Sequence, residues 1–151
     1  MCSSDLSFNA RPEAIAVLGP LVSEWSRVRF LFSHLGLPGV VPPDTSPEAL
    51  RDRLHPLLSL ARLPNVHVKV SGLYAMSEPP HAFPHAGAEG VISRVLEAFG
   101  PARCLWASDF APALEYVSFP QTMDWPGRNA LSDAEQRLVL HDNLHRLLSN
   151  P

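Results

Sequence analysis

The chain has 151 residues, 46% of them hydrophobic and 18% charged, with a formal net charge of −3 and its twelve Lys and Arg scattered rather than clustered. That length fits one domain with its own core, and the weak, dispersed charge excludes a nucleic-acid groove or an anionic membrane surface as partner. No apolar run approaches the ~20 residues of a membrane span, two cysteines make no disulfide framework, and no signal-like start is present, so a cytoplasmic protein acting on a small molecule is expected.

Met1 to Leu6 carries no pattern, and Cys-Ser-Ser-Asp-Leu matches one reading frame of a common sequencing-library adapter. Residues 1–6 are therefore expected to be an assembly scar or a disordered start, with the domain proper spanning 7–151. Ser7 to Ala10 reads as the tail of a strand. Pro12 to Trp25 is helical, with Pro in the first turn and Ile15, Leu18, Leu21 and Val22 at helical spacing. Gly19-Pro20 predicts a kink or an early end.

Val28 to Gly36 is an aromatic, apolar run closed by Gly-Leu-Pro-Gly and predicts a buried strand. On its pleat Phe30, Phe32 and His34 share a face, which puts His34 at the carboxyl end. On residue type alone His34 is either a hydrogen-bonded core histidine or a functional one. Thr45-Ser-Pro-Glu48 starts a second helix on the stripe Leu50, Leu54, Leu57, Leu58 and Ala61, divided at His55-Pro56. Val66 to Gly72 alternates, so its valines should meet the helices while His67, Lys69 and Ser71 line an interior site.

Tyr74 to Ala88 reads as a loop with three prolines, long enough to be functional. Glu89 to Phe99 is a third helix ending at Gly100-Pro101. Arg103-Cys-Leu-Trp-Ala-Ser-Asp-Phe110 is then a strand-like run ending on a carboxylate, with Cys104 as a buried thiol. Asp109 is either a turn cap or a carboxylate placed where parallel α/β proteins keep their chemistry. An irregular loop follows from Ala111 to Asn129. Ser132 with Glu135 three residues on predicts the cap of a last helix reaching about Leu148.

The three strands begin near Arg29, Val66 and Arg103, thirty-seven residues apart each time, with helical patterns between them. That is the length of a strand, crossover helix, parallel strand unit. The class is α/β, and the period alone leaves a barrel and a doubly wound sheet both open. In either case His34, Ser71 with Lys69, and Asp109 gather at one rim.

Four motifs together resemble the amidohydrolase-2 (amidohydrolase-related) family of metal-dependent TIM-barrel hydrolases, which includes dicarboxylate lactonases and related decarboxylases. Phe-Leu-Phe-Ser-His-Leu-Gly-Leu-Pro is similar to the family's sixth strand, Val-His-Val-Lys-Val-Ser-Gly-Leu to the seventh, Arg-Cys-Leu-Trp-Ala-Ser-Asp-Phe to the eighth, and Asn143 with Arg146-Leu-Leu to the closing helix. The resemblance covers roughly residues 7 to 149 and implies the carboxyl-terminal half of such a barrel: a partial (β/α)8 TIM barrel of the last three to four units. It implies that Asp109 is the eighth-strand carboxylate, metal ligand or general base, and that His34 polarises the substrate carbonyl. Lys69 and Ser71 become candidate contacts to an acidic substrate group, and the intact protein is expected to use a divalent metal, zinc first.

Some positions depart from the family pattern. Ser33 stands where Asp is usual, Ala107 and Ala111 where Gly and Pro are usual, and no His-x-His occurs anywhere in the chain. One carboxylate and one imidazole are too few for a catalytic zinc, so this chain alone is expected to bind metal poorly and to turn over little or nothing. Half a barrel would also expose two sheet edges and an inner face carrying Phe30, Phe32 and Leu105, which predicts self-association.

Other readings are weaker. His141-Asp-Asn-Leu-His145 superficially resembles a zinc-protease helix but has Asp for Glu and no third ligand. His81 and His85 lie in the loop after the second full strand and are either substrate contacts or surface residues. A nucleotide-binding domain lacks its glycine-rich loop. A non-catalytic half-barrel that docks a partner is the alternative from another class.

Overall fold

The structure is a computed structural model that describes residues 5–149. Four β-strands, β1 (Asp5–Phe8), β2 (Arg29–Phe32), β3 (Val66–Val70) and β4 (Cys104–Trp106), form one sheet in the order of the chain. Every neighbouring pair is parallel. Between them run α1 (Pro12–Glu24), α2 (Pro47–Leu58) and α3 (Gly87–Phe99). α1 packs on α2 and α2 on α3, so the helices make a single layer. Sequential strand order with no reversal, and helices in sequence beside one another, is the winding of a barrel rather than of a doubly wound sheet.

The first strand begins at Asp5, two residues before the expected tail. Asp5 lies beside Arg29 in the parallel register and forms an ion pair with it. Residues 1–4 lie outside the described residues.

Packing decides which face of each strand looks inward. Val66, Val68 and Val70 are buried against Ile15, Val22, Leu54, Leu57, Val91, Ile92 and Val95, as the alternation predicts. Phe30 and Phe32 join the same helix-side core, each fully buried, a burial worth roughly 1.5–3 kcal/mol apiece. They are therefore not on the inner face. β2 is apolar on both sides, so its alternation could not choose. The register does, by setting Phe30 beside Val66 and Phe32 beside Val68. The inner face carries instead Ser7, Leu31, His67, Lys69 and Leu105, paired in register across the sheet.

Neither proline divides its helix: α1 continues through Pro20 and α2 through Pro56. Ser46 caps α2 by accepting from the Ala49 amide, while Thr45 bonds back to the Pro42 carbonyl. The loop after β3 opens with a 3₁₀ turn at Leu73–Met76, and the loop after β4 holds short helical turns at Phe110–Ala113 and Phe119–Thr122. The closing helix starts at the expected Ser132 and Glu135 capping box and includes a π-helical turn, Leu138–Asp142, before Asn143–Ser149. No helix among the described residues is long and apolar enough to cross a membrane.

Candidate active site

At the carboxyl ends of β2, β3 and β4 the chain bends into left-handed backbone. His34 has φ 53°, Gly72 φ 66° and Asp109 φ 51°. Such conformations are uncommon outside glycine, with Asp and His among the residues that tolerate them best. They take His34 and Asp109 out of strand alternation, so His34 does not follow Phe30 and Phe32 into the helix-side core. Instead its Nδ1 lies 3.0 Å from Ser71 Oγ and 3.7 Å from Asp109 Oδ2.

Ser71 is buried, and its hydroxyl also accepts the His34 amide at 3.3 Å. The Ser71 hydroxyl thus bonds both the backbone amide and Nδ1 of His34, which fixes the ring plane. Gly72 makes room for the ring. A Cβ there would stand 2.6 Å from His34 Nδ1 and 3.0 Å from its Cγ.

Asp109 Oδ2 accepts a 2.8 Å hydrogen bond from the Tyr74 hydroxyl. Tyr74 stacks on Tyr116 with ring centroids 5.0 Å apart. Burial, then the bond to Asp109 and its negative charge, hold the Tyr74 hydroxyl well above its ordinary pKa, so it remains a donor. In the sequence Tyr74 stands at the start of a loop. Its one signal was position, three residues past the polar end of β3, and only the 3₁₀ turn at Leu73–Met76 brings it to the carboxylate.

His34, Ser71, Tyr74 and Asp109 thus form one hydrogen-bonded cluster. Lys69 is not drawn into it: its ammonium donates to Ser7 Oγ at 2.9 Å, across β2 on the inner face. His81 joins no bond of the cluster. His85 is buried rather than on the surface, with Nδ1 2.9 Å from Ser77 Oγ. His141 and His145 stack on one another, and His141 bonds to Asp142. Among the described residues no group of three or more His, Cys, Asp or Glu side chains could hold a metal ion. The cluster supplies one carboxylate, with Oδ2 already accepting from Tyr74, and one imidazole. A catalytic zinc takes three protein ligands, so these residues by themselves do not fit one.

Residues 4–149 match the family model described as amidohydrolase. The chain belongs to the amidohydrolase family. Similar folds include an amidohydrolase from Burkholderia multivorans with bound zinc, with a TM-score of 0.82 and 21% identity over 97% of this chain and 53% of that one. A protein assigned as a 2-pyrone-4,6-dicarboxylic acid hydrolase from Acinetobacter baumannii, with citric acid bound, gives 0.71 and 22% over 97% and 52%. The 5-carboxyvanillate decarboxylase of Sphingomonas paucimobilis gives 0.51 and 17% over 91% and 39%. No curated protein sequence matches. This amidohydrolase chain spans about half the length of the solved structures it resembles, and its four parallel strands are part of a (β/α)8 barrel.

Proposed function

We propose that this chain supplies the base and the carbonyl-polarising group of an amidohydrolase that cleaves a lactone, an amide or a related carboxylate-bearing compound, by hydrolysis or decarboxylation. The observation that carries the reading is the His34, Ser71, Tyr74 and Asp109 cluster at the carboxyl ends of three adjacent parallel strands, where barrels of this kind keep their chemistry. The names of the Acinetobacter and Sphingomonas neighbours, both built on carboxylated substrates, support the substrate class.

In this reading Tyr74 holds Oδ2, so Oδ1 of Asp109 takes the proton of an attacking water. His34 takes the tautomer in which Ser71 donates to Nδ1 and the ring proton sits on Nε2, from where it donates to the substrate carbonyl as charge develops on its oxygen. Lys69 is a contact for an acidic substrate group once it leaves Ser7. In the complete barrel Asp109 would also be one ligand of a divalent metal, with zinc the first candidate because the Burkholderia protein binds it. The residues of this chain do not complete that centre, and the steps above run on Asp109 and His34.

The test is to assay the protein, alone and within the complete barrel, on lactone, amide and aromatic carboxylate substrates. The complete barrel should turn over one of these and lose about 10²–10⁴-fold in kcat in D109N, while the chain alone stays near background. A fully active D109N would overturn the reading. A second reading, a docking module, is favoured by the sheet, since β1 and β4 each have a strand on one side only among the described residues. Open edges of this kind promote pairing. Concentration-dependent sedimentation of the chain with no activity in the complete barrel would favour it.

A further inference from the structure

His141 and His145 lack the third ligand of a catalytic zinc helix, yet they stand one turn apart where the π-helical turn Leu138–Asp142 passes into the last helix, Asn143–Ser149. Both are exposed. Their ring centroids are 5.9 Å apart and the rings lie 16° from parallel. A metal about 2.1 Å from an imidazole nitrogen lies roughly 3.2 Å from that ring's centroid, so two rings on one metal stand at most ~6.4 Å apart. The observed separation is within that reach, and exposed side chains change rotamer freely enough to converge on one ion.

The tautomer of His141 is set by its neighbour. Nδ1 lies 2.8 Å from Oδ1 of Asp142, and this bond is the main cause that holds the Asp142 carboxyl below its usual pKa. An ionised carboxylate only accepts, so Nδ1 carries the proton and the neutral ring keeps its lone pair on Nε2. Arg137 donates to the same carboxylate, 3.3 Å from Oδ1 and 3.1 Å from Oδ2, so Asp142 orients the ring instead of serving as a ligand. A carboxylate behind an imidazole in this way fixes a metal-binding histidine and raises its basicity. The His145 ring stacks on His141 and makes no hydrogen bond among the described residues. One of its nitrogens therefore keeps a free lone pair in either neutral tautomer.

We infer that His141 and His145 form a two-histidine site for a divalent transition metal, copper(II) ahead of nickel(II) and zinc(II), with water in the remaining positions. Two imidazoles and water suit copper(II), which takes a tetragonal set of N and O ligands and heads the affinity order of the divalent metals. The site shares no residue with the His34 and Asp109 cluster and stands whether or not that cluster is catalytic. Its two ligands come from either side of a helix junction, so bound metal ties the π-helical turn to the last helix. Asn143, between them, bonds the segment that enters β4.

The experiment is a titration of the ¹⁵N-labelled protein with copper(II) alone, with Cys2→Ser in every sample so that its thiol does not compete. The expected result is a paramagnetic loss of amide signals centred on residues 141 to 145, an electron paramagnetic resonance spectrum split by two imidazole nitrogens, and a urea midpoint that rises with copper, since the site exists only in the folded helix. D142A removes the orienting carboxylate and should weaken binding about tenfold, and H145A removes a ligand and should weaken it more. Both histidines are exposed, so H145A should keep the parent midpoint without metal, and H141A gives the same reading should H145A fail to fold. Copper that binds H145A and H141A as tightly as the parent, or that leaves the parent midpoint where it was, overturns the site. Signal loss centred on His34 and Asp109 overturns it as well, by placing the metal at the proposed active site.

Discussion

Tyr74 donates to Asp109 across 2.8 Å, tying the first turn after β3 to the first turn after β4. Burial and this bond raise the Tyr74 pKa above its ordinary value, so the folded state keeps a proton that the unfolded chain releases near pH 10. The resulting contribution to stability is fully present below about pH 10 and is lost as pH rises through the higher folded value. Y74F should flatten the alkaline fall in melting temperature. D109N keeps an acceptor but removes the charge, and should let Tyr74 ionise at lower pH, read from the phenolate absorbance. A Y74F protein with an unchanged alkaline limb would show that the bond is not formed in solution.

Gly72 is the residue against which the His34 ring rests. In Gly72→Ala the new methyl would meet Nδ1 at 2.6 Å at a residue whose φ is +66°. The ring must move off Ser71 and Asp109, and the backbone strain adds a cost of about 1 kcal/mol or more. The expected outcome is a lower urea midpoint together with shifted His34 ring signals. Shifts confined to residue 72 itself would contradict the contact.

Much of this arrangement was legible from residue types. The valines of β3 announced a helix-side face, the near-constant strand spacing announced crossover units, and His34, Ser71 and Asp109 stood at strand ends. β2 was not legible in the same way, because Phe30 and Phe32 alternate with Leu31 and hydrophobicity marks neither face; only the register with Val66 and Val68 decides. Tyr74 was hidden because a 3₁₀ turn in a proline-rich loop leaves no periodic trace. Lys69 had the right face, yet its nearest partner, Ser7, lies on a strand whose sequence signal was faint.

His67 is 7% exposed on the inner face of β3. Burial lowers its pKa, reinforced by the positive Arg103 and opposed in part by the Asn65 backbone. His85 is lowered by burial as well. As pH falls through about 6.5 the unfolded chain takes up protons at both positions before the folded one does. Their contribution is therefore present above about 6.5 and is lost below it. The urea midpoint should drop between about pH 7.5 and 5.5, and H67L should make that drop shallower. An unchanged pH slope in H67L would mean that His67 titrates normally.

Asn143 is fully buried where the π-helical turn passes into the last helix. Its Nδ2 donates to the carbonyls of Pro101 and Cys104, both at 2.7 Å, and its Oδ1 accepts from Arg146, which also donates to the Ala102 carbonyl. This clamp holds the segment that enters β4 and thereby the strand that ends at Asp109. N143A leaves two carbonyls without this donor and should cost about 2–6 kcal/mol, at about 1–3 kcal/mol for each buried unpaired group. N143D should cost more, since a carboxylate would face those same carbonyls. R146A removes a bond at a more exposed position and should cost about 1 kcal/mol. Urea denaturation of the three variants tests the order, and R146A matching N143A would place the clamp on the guanidinium instead of the buried amide.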